Sequence, residues 1–170
     1  MKTIILFRHA KSSWKLPLND KDRPISHRGI QDAHRMGDRM ADTLPKTFSL
    51  WSSTARRAKE TAMIVAQNIH YPVESIHYQD DLYTFCENQL TEFIKNCDNK
   101  WDNLILFGHN DAITNFVNKF GDIYIENVTT AGMVALEFNI PKWSDLQPGN
   151  TRKVLFPRDL RNDSTHFALY

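Results

Sequence analysis

Thr3-Ile4-Ile5-Leu6-Phe7-Arg8-His9-Ala10 decides the reading of this chain. Its apolar run does not alternate with polar residues and stops abruptly at an arginine and a histidine. Such a run is expected of a strand buried on both faces, at the centre of a parallel sheet covered by helices. In open sheets of that kind ligands bind beyond the carboxyl ends of the strands, which is where Arg8 and His9 fall. Leu104-Ile105-Leu106-Phe107-Gly108-His109 repeats the pattern, with a second histidine at the same place.

Outward from the first strand, Lys11 to Arg23 form a polar loop that is cationic at Lys11, Lys15, Lys21 and Arg23 and carries Trp14 and Pro17. Ser26 reads as a helix cap, followed by an apolar stripe at Ile30, Ala33, Met36, Met40 and Leu44 and a stop at Pro45. Phe48 to Trp51 is a short second strand. Ser52, Ser53 and Thr54 then offer cap hydroxyls to a helix striped by Ala55, Ala58, Ala62, Val65 and Ile69. Arg56 and Arg57 lie in its first turn, where the helix dipole disfavours cations. Either an anion is expected beside them or they are solvated surface arginines. Residues 72–78 alternate and are expected to form a third strand near a sheet edge. Leu90, Phe93, Ile94 and Cys97 mark a third helix. Asn103 to Phe107 is the fourth strand, and Asn110 or Asp111 caps a helix that ends at Gly121. Gly132 to Phe138 and Lys153 to Phe156 complete the strands. This alternation predicts one layered α/β domain over residues 1–170, with a polar tail from Arg158 that either frays or docks.

Composition narrows the function classes. A length of 170 residues suits a single domain that buries ~70% of its unfolded surface. A net charge of +1 gives no general attraction to nucleic acid or to membranes. The two cysteines, Cys86 and Cys97, lack zinc-finger spacing and are expected to be reduced thiols. The apolar run before Arg8 is too short for a signal peptide or a membrane span, so a soluble cytoplasmic protein is expected.

Three strand ends thus carry Arg8-His9, Arg56-Arg57 and Gly108-His109. If these strands are neighbours, two imidazoles and two or three guanidiniums converge on one crevice. The guanidinium fork suits phosphate oxygens, and a histidine among arginines can act as nucleophile, base or anion donor.

Five stretches carry a resemblance to a known family. Arg8-His9-Ala10 resembles the Arg-His-Gly signature of the histidine phosphatase superfamily, which includes the cofactor-dependent phosphoglycerate mutases. Ser52 to Ala62 is similar to its second motif, with the phosphate-binding arginine at Arg57. Phe107-Gly108-His109-Asn110 resembles the third. Arg23 to Gly29 and Thr130-Ala131-Gly132 are similar to the short phosphohistidine phosphatases of the SixA type. The resemblance implies a three-layer α/β/α sandwich with a mostly parallel central sheet of about six strands. It also implies that His9 attacks phosphorus and carries the phosphoryl group, while Arg8, Arg57 and His109 hold its oxygens. Ser12 and Lys15 on the following loop are candidate phosphate or substrate contacts. No cofactor and no metal is expected, because the arginines supply the positive charge. The expected partner is a phosphorylated protein or a small phosphorylated substrate, with no nucleic acid and no membrane.

Two departures shape the substrate expectation. Position 10 is Ala where Gly is usual, which is tolerated if the backbone there does not need positive φ. Many relatives also carry a glutamate acid in the segment matching Leu82 to Gln89. Here Thr84 stands closest to that place and Glu87 is displaced, while Asp111 is a helix cap or an acid. Without a strong acid, alkoxides leave poorly, whereas the imidazole of a phosphohistidine leaves readily. A phosphohistidine substrate is therefore expected, with a small-molecule phosphomonoesterase or a non-catalytic phospho-ligand module as alternatives.

Overall fold

A computed structural model describes residues 1–161. One sheet of six strands forms its middle layer, in the order β3-β2-β4-β1-β5-β6. The strands are β1 (Lys2–Arg8), β2 (Ser49–Ser53), β3 (His77–Gln79), β4 (Asn103–Gly108), β5 (Met133–Phe138) and β6 (Asn150–Leu155). β3, β2, β4 and β1 run parallel, while β5 and β6 join antiparallel. The sheet is mixed but mostly parallel, and β1 and β4 lie side by side at its centre.

The unalternating run of β1 is explained by what covers it. Ile4 and Leu6 enter an apolar cluster on one face, and Ile5 and Phe7 enter a second cluster on the other. Helices α1 (His27–Met40) and α2 (Arg56–Asn68) supply the second cluster through Ala33, Met36, Met40, Ala62 and Val65. Helices α3 (Glu87–Lys95) and α4 (Ala112–Phe120) supply the first through Leu90, Ile94, Ile113, Phe116 and Val117. This is the expected α/β/α sandwich. Each fully buried Ile or Phe of β1 contributes about 1.5–3 kcal/mol relative to exposure, so the strand is firmly placed.

The far end of β1 is fixed differently. Lys2 is buried, and its ammonium donates to the Asn99 and Trp101 carbonyls at 3.3 Å and to the Asp102 carboxylate at 2.9 Å. It also lies 5.0 Å from the centre of the buried Trp143 ring. Satisfying the three ammonium protons is what allows a lysine to be enclosed.

Several local expectations need correction. Residues 72–78 are not one strand: Val73–Ser75 form a 3-10 turn, and only His77–Gln79 pair with β2, at the sheet edge. Ser26 does cap α1, accepting from Gly29 N at 3.1 Å, but the helix ends at Met40, before Leu44. Ile30 is exposed, and the buried face instead includes Asp32, which is paired with Arg35 and Arg161. The side chain that caps α4 is Asn110, whose Oδ1 accepts from Thr114 N at 3.1 Å; Asp111 makes no capping bond. None of Ser52, Ser53 and Thr54 is the cap residue of α2, which is Ala55. The tail's final residues, 162–170, lie outside the described residues. No helix among the described residues is long and apolar enough to cross a membrane.

Candidate active site

Register delivers the two histidines to one place. Arg8 stands opposite Gly108 across β1 and β4, so the next residues, His9 and His109, emerge together beyond the sheet. Their ring centres are 5.3 Å apart. β2 lies against the other edge of β4 and leads into α2, whose first turn brings Arg57 in with 2% of its surface exposed. Arg57 Nε donates to His9 Nε2 at 3.4 Å.

The imidazole of His9 is set up to attack. Its Nδ1–H donates to the Ala10 carbonyl at 2.7 Å, which leaves the lone pair on Nε2, the nitrogen facing Arg57. Burial, reinforced by the charges of Arg57, Arg8 and Arg23, pushes the His9 pKa down to about 3. The ring is therefore neutral at ordinary pH, with a lone pair free to bond. Ala10 is buried without positive φ, and its N–H donates to Thr61 Oγ1 at 2.9 Å, so glycine is not required there. A left-handed residue does lie beside this strand end: Ala131, at φ 59°, whose N–H is shared by the carbonyls of Arg8 and His9 at 3.0 Å each. A strained alanine thus clamps the strand end that carries the two reactive side chains.

His109 is 1% exposed, and its Nε2 lies 2.8 Å from Ser53 Oγ. Ser53 Oγ accepts from Ala55 N at 3.1 Å, so its hydroxyl proton is available to His109 Nε2. That tautomer leaves Nδ1–H as a donor. Burial and the neighbouring His9 and Arg57 push the His109 pKa down to about 2. Among the described residues, the buried side-chain nitrogens without a hydrogen-bond partner are Arg8 Nε, Arg23 Nε and His109 Nδ1. Buried polar groups are rarely left so, and all three belong to the residues around His9. They match the donor set that a phosphoryl group needs.

Both depressed histidines make a testable statement about stability. In the unfolded chain an imidazole takes up a proton near pH 6.5, whereas folded His9 resists protonation down to about 3. Between those values the unfolded state binds more protons, so stability is complete above pH 6.5 and declines as pH falls. The urea midpoint is expected to drop from pH 7 to pH 5, with a shallower slope in His9→Gln. A flat profile would contradict the buried neutral rings.

The remaining sequence candidates fall on either side of the pocket boundary. Ser12 Oγ accepts from Arg23 Nη1 at 2.5 Å, which places it beside the site. Lys15 is exposed and its side chain makes no hydrogen bond or ion pair within the described residues. Asp111 is exposed, and its charge acts on Arg8. Glu87 is directed elsewhere: it accepts from Thr91 Oγ1 at 3.0 Å and pairs with Lys119 at 3.4 Å, joining α3 to α4. Thr84 is buried and donates to Gln89 Oε1.

Asp20, Arg23 and Ser53 were not singled out as site residues from the sequence, and Tyr83 and Phe85, on the rim, lie beside them. Asp20 accepts from Arg57 Nη2 at 2.9 Å through Oδ2 and from Arg23 Nη2 at 3.0 Å through Oδ1. Its backbone carbonyl accepts from Arg57 Nη1 at 2.7 Å. Tyr83 donates its hydroxyl to Asp20 Oδ2, and its ring centre is 5.3 Å from that of His109. Arg23 stacks under the exposed Trp14, 3.6 Å from the ring centre, and Phe85 meets His109 edge-on at 5.4 Å. Ser53 completes the set by orienting His109. The cationic loop and the segment around Tyr83 were visible in the sequence, but nothing in their spacing pointed at His9.

A neutral imidazole beside the buried guanidiniums of Arg57 and Arg23 is an arrangement able to receive an anion. The family model for the histidine phosphatase superfamily (branch 1) matches residues 4–83. Over that stretch the chain is similar to that superfamily. It is similar to the uncharacterized protein Rv1276c of Mycobacterium tuberculosis, at 27% identity over 159 residues covering 88% of this chain and 97% of the relative. Among solved structures, the protein histidine phosphatase SixA complexed with tungstate superposes with a TM-score of 0.79 at 14% identity, covering 93% of this chain and 99% of that one. The mycobacterial glucosyl-3-phosphoglycerate phosphatase Rv2419c, complexed with VO3, superposes with a TM-score of 0.65 at 11% identity, covering 89% and 97%. At such identities these two structures share the fold with this chain.

Proposed function

We propose that this protein is a metal-independent phosphatase that removes the phosphoryl group from phosphohistidine on a protein. The observation that carries the reading is the placement of His9 Nε2, 3.4 Å from Arg57 Nε, in a ring 5.3 Å from that of His109 and under the charges of Arg8 and Arg23, whose Nε groups are without partners. In the first step His9 Nε2 forms a bond to phosphorus as the bond to the substrate's imidazole nitrogen breaks, and that imidazole departs with the electron pair. In the second step water attacks phosphorus, the bond to His9 breaks, and the water's proton leaves with inorganic phosphate. Arg8, Arg57 and His109 hold the equatorial oxygens throughout, and donors fixed in advance are typically the largest catalytic contribution.

The choice of leaving group follows from the carboxylates. Glu87 is engaged between α3 and α4, and Asp20 is held well below the usual carboxylate range despite partial desolvation, by its bonds to Tyr83, Arg23 and Arg57. Glu87 is turned away from the pocket and Asp20 is not a protonated acid awaiting an alkoxide, whereas a phosphoramidate nitrogen leaves with little help. The apolar surfaces of Trp14, Leu16, Leu18 and Phe85, exposed on the two segments beside the pocket, suit a phosphorylated side chain presented on a protein surface. The test compares hydrolysis rates on a phosphorylated histidine-carrier protein and on sugar phosphates. Faster turnover of the carrier is expected, and a strong preference for sugar phosphates would favour the small-molecule reading. Vanadate is expected to inhibit while a chelator leaves the rate unchanged; loss of activity with the chelator would reveal a required metal.

A further inference from the structure

Part of the pocket's anion-binding donor set is already in use, while Arg8 Nε, Arg23 Nε and His109 Nδ1 stand open. Arg57 directs Nη1 and Nη2 to Asp20 and only Nε toward His9, and Arg23 directs Nη2 to the same carboxylate. A phosphoryl oxygen lying in front of His9 Nε2 must reach Arg57 along its Nε–Nη2 edge, where Asp20 Oδ2 now accepts. Two anions cannot share that donor at hydrogen-bond distance without strong mutual repulsion.

Which partner yields is decided by burial. The Arg57 and Arg23 side chains are 2% and 7% exposed, whereas that of Asp20 is 46% exposed. The guanidiniums are locked in place and costly to leave without an anion, while the carboxylate can turn into water with its charge solvated. Asp20 also sits in a 3-10 turn, Asp20–Asp22, within the long loop after His9. The same turn is tethered from outside by Lys21, which reaches Asp80 at 3.3 Å, so the backbone can stay docked while the Asp20 side chain moves. Tyr83, by donating to Oδ2, favours the inward position.

We propose that Asp20 is an internal competitor for the phosphoryl-binding donors of Arg57 and Arg23, displaced when substrate binds and returning to expel inorganic phosphate after hydrolysis. The inference rests on the phosphoryl-binding reading of the site and adds to it a residue that governs product release. Competition of this kind weakens substrate and product alike by the fraction of time the donors are unoccupied. A carboxylate that holds them about nine-tenths of the time lowers both affinities about tenfold. Its gain to the enzyme is turnover, because the product leaves sooner.

Phosphate affinity, measured by calorimetry on the full chain together with steady-state kinetics on an aryl phosphate, tests this in wild type, Asp20→Asn and Tyr83→Phe. In Asp20→Asn, inorganic phosphate is expected to bind about tenfold more tightly, with KM falling by a similar factor and kcat not rising. Tyr83→Phe should shift phosphate affinity in the same direction by less. Weaker phosphate binding and a raised KM would instead make Asp20 a positioning residue for Arg57 and overturn the proposal. So would a large loss of kcat/KM confined to substrates with poor leaving groups, which is the signature of a proton donor. Unchanged phosphate affinity also overturns it, while wild-type hydrolysis in the same assay leaves the phosphatase reading intact. Absence of both phosphate binding and hydrolysis in every variant would remove the two together.

Discussion

Hydrolysis of an aryl phosphate is expected to fall by about four orders of magnitude or more in His9→Ala, with no phosphoenzyme formed. The wild-type protein, quenched after brief mixing with labelled substrate, should yield a base-stable, acid-labile phosphoryl adduct. The expectation rests on geometry. His9 is the imidazole whose Nδ1 proton is committed to a carbonyl and whose Nε2 faces an arginine. His109, 5.3 Å away, has Nε2 engaged with Ser53, so it is placed to donate rather than to attack. Retained turnover in His9→Ala would mean that water attacks directly or that His109 can substitute. The variant is expected to remain folded, because the space it opens adjoins a polar pocket and removes a ring that burial keeps unprotonated.

Arg57→Ala is expected to lower kcat about 100- to 1000-fold, the usual cost of removing one donor aimed at developing charge in a water-poor site. Arg57→Lys should recover little of it. The Nε of Arg57 faces His9 while Nη1 and Nη2 reach Asp20, and a single ammonium cannot reproduce that span. Its Asp20 partner is half-exposed, so loss of the pair leaves a solvated carboxylate and a modest change in stability. The check is kcat and melting temperature measured together. A collapse of both would assign Arg57 to the fold, and a loss of kcat alone to the chemistry.

The residues most legible in the sequence were those at which a buried strand changes character within one residue. Phe7 to Arg8 and Gly108 to His109 are such changes, and the parallel pairing of β1 with β4 turns two separate signals into one site. The dipole argument left Arg56 and Arg57 alike and open, and the resemblance of Ser52 to Ala62 to the family's second motif is what singled out Arg57. What escaped was everything that depends on chain closure. Asp20 meets Arg57 across 37 residues and Tyr83 across 63, and neither separation leaves a periodic trace. The same limit explains Asp32. Its place on the buried face of α1 rests on Arg35 beside it and on Arg161, 129 residues later, while Ile30 on the neighbouring stripe faces solvent. The alternation over residues 72–78 misled for a local reason: the stretch begins at Pro72, which leads into a 3-10 turn that uses up most of it.

The pairing of Arg8 with Gly108 also bears on how such an enzyme can change. Adjacent strands are spaced by about 4.8 Å whatever their side chains, so the separation of nucleophile and charge donor is inherited from the backbone. Lys2, enclosed at the opposite end of β1, anchors that backbone far from the reaction. Trp14, Asp20, Tyr83 and Phe85 all lie on connecting segments outside this frame. New substrate contacts can therefore arise at Trp14 and Phe85 without moving β1 or β4, whereas a change at Asp20 or Tyr83 reaches the Arg57 guanidinium directly.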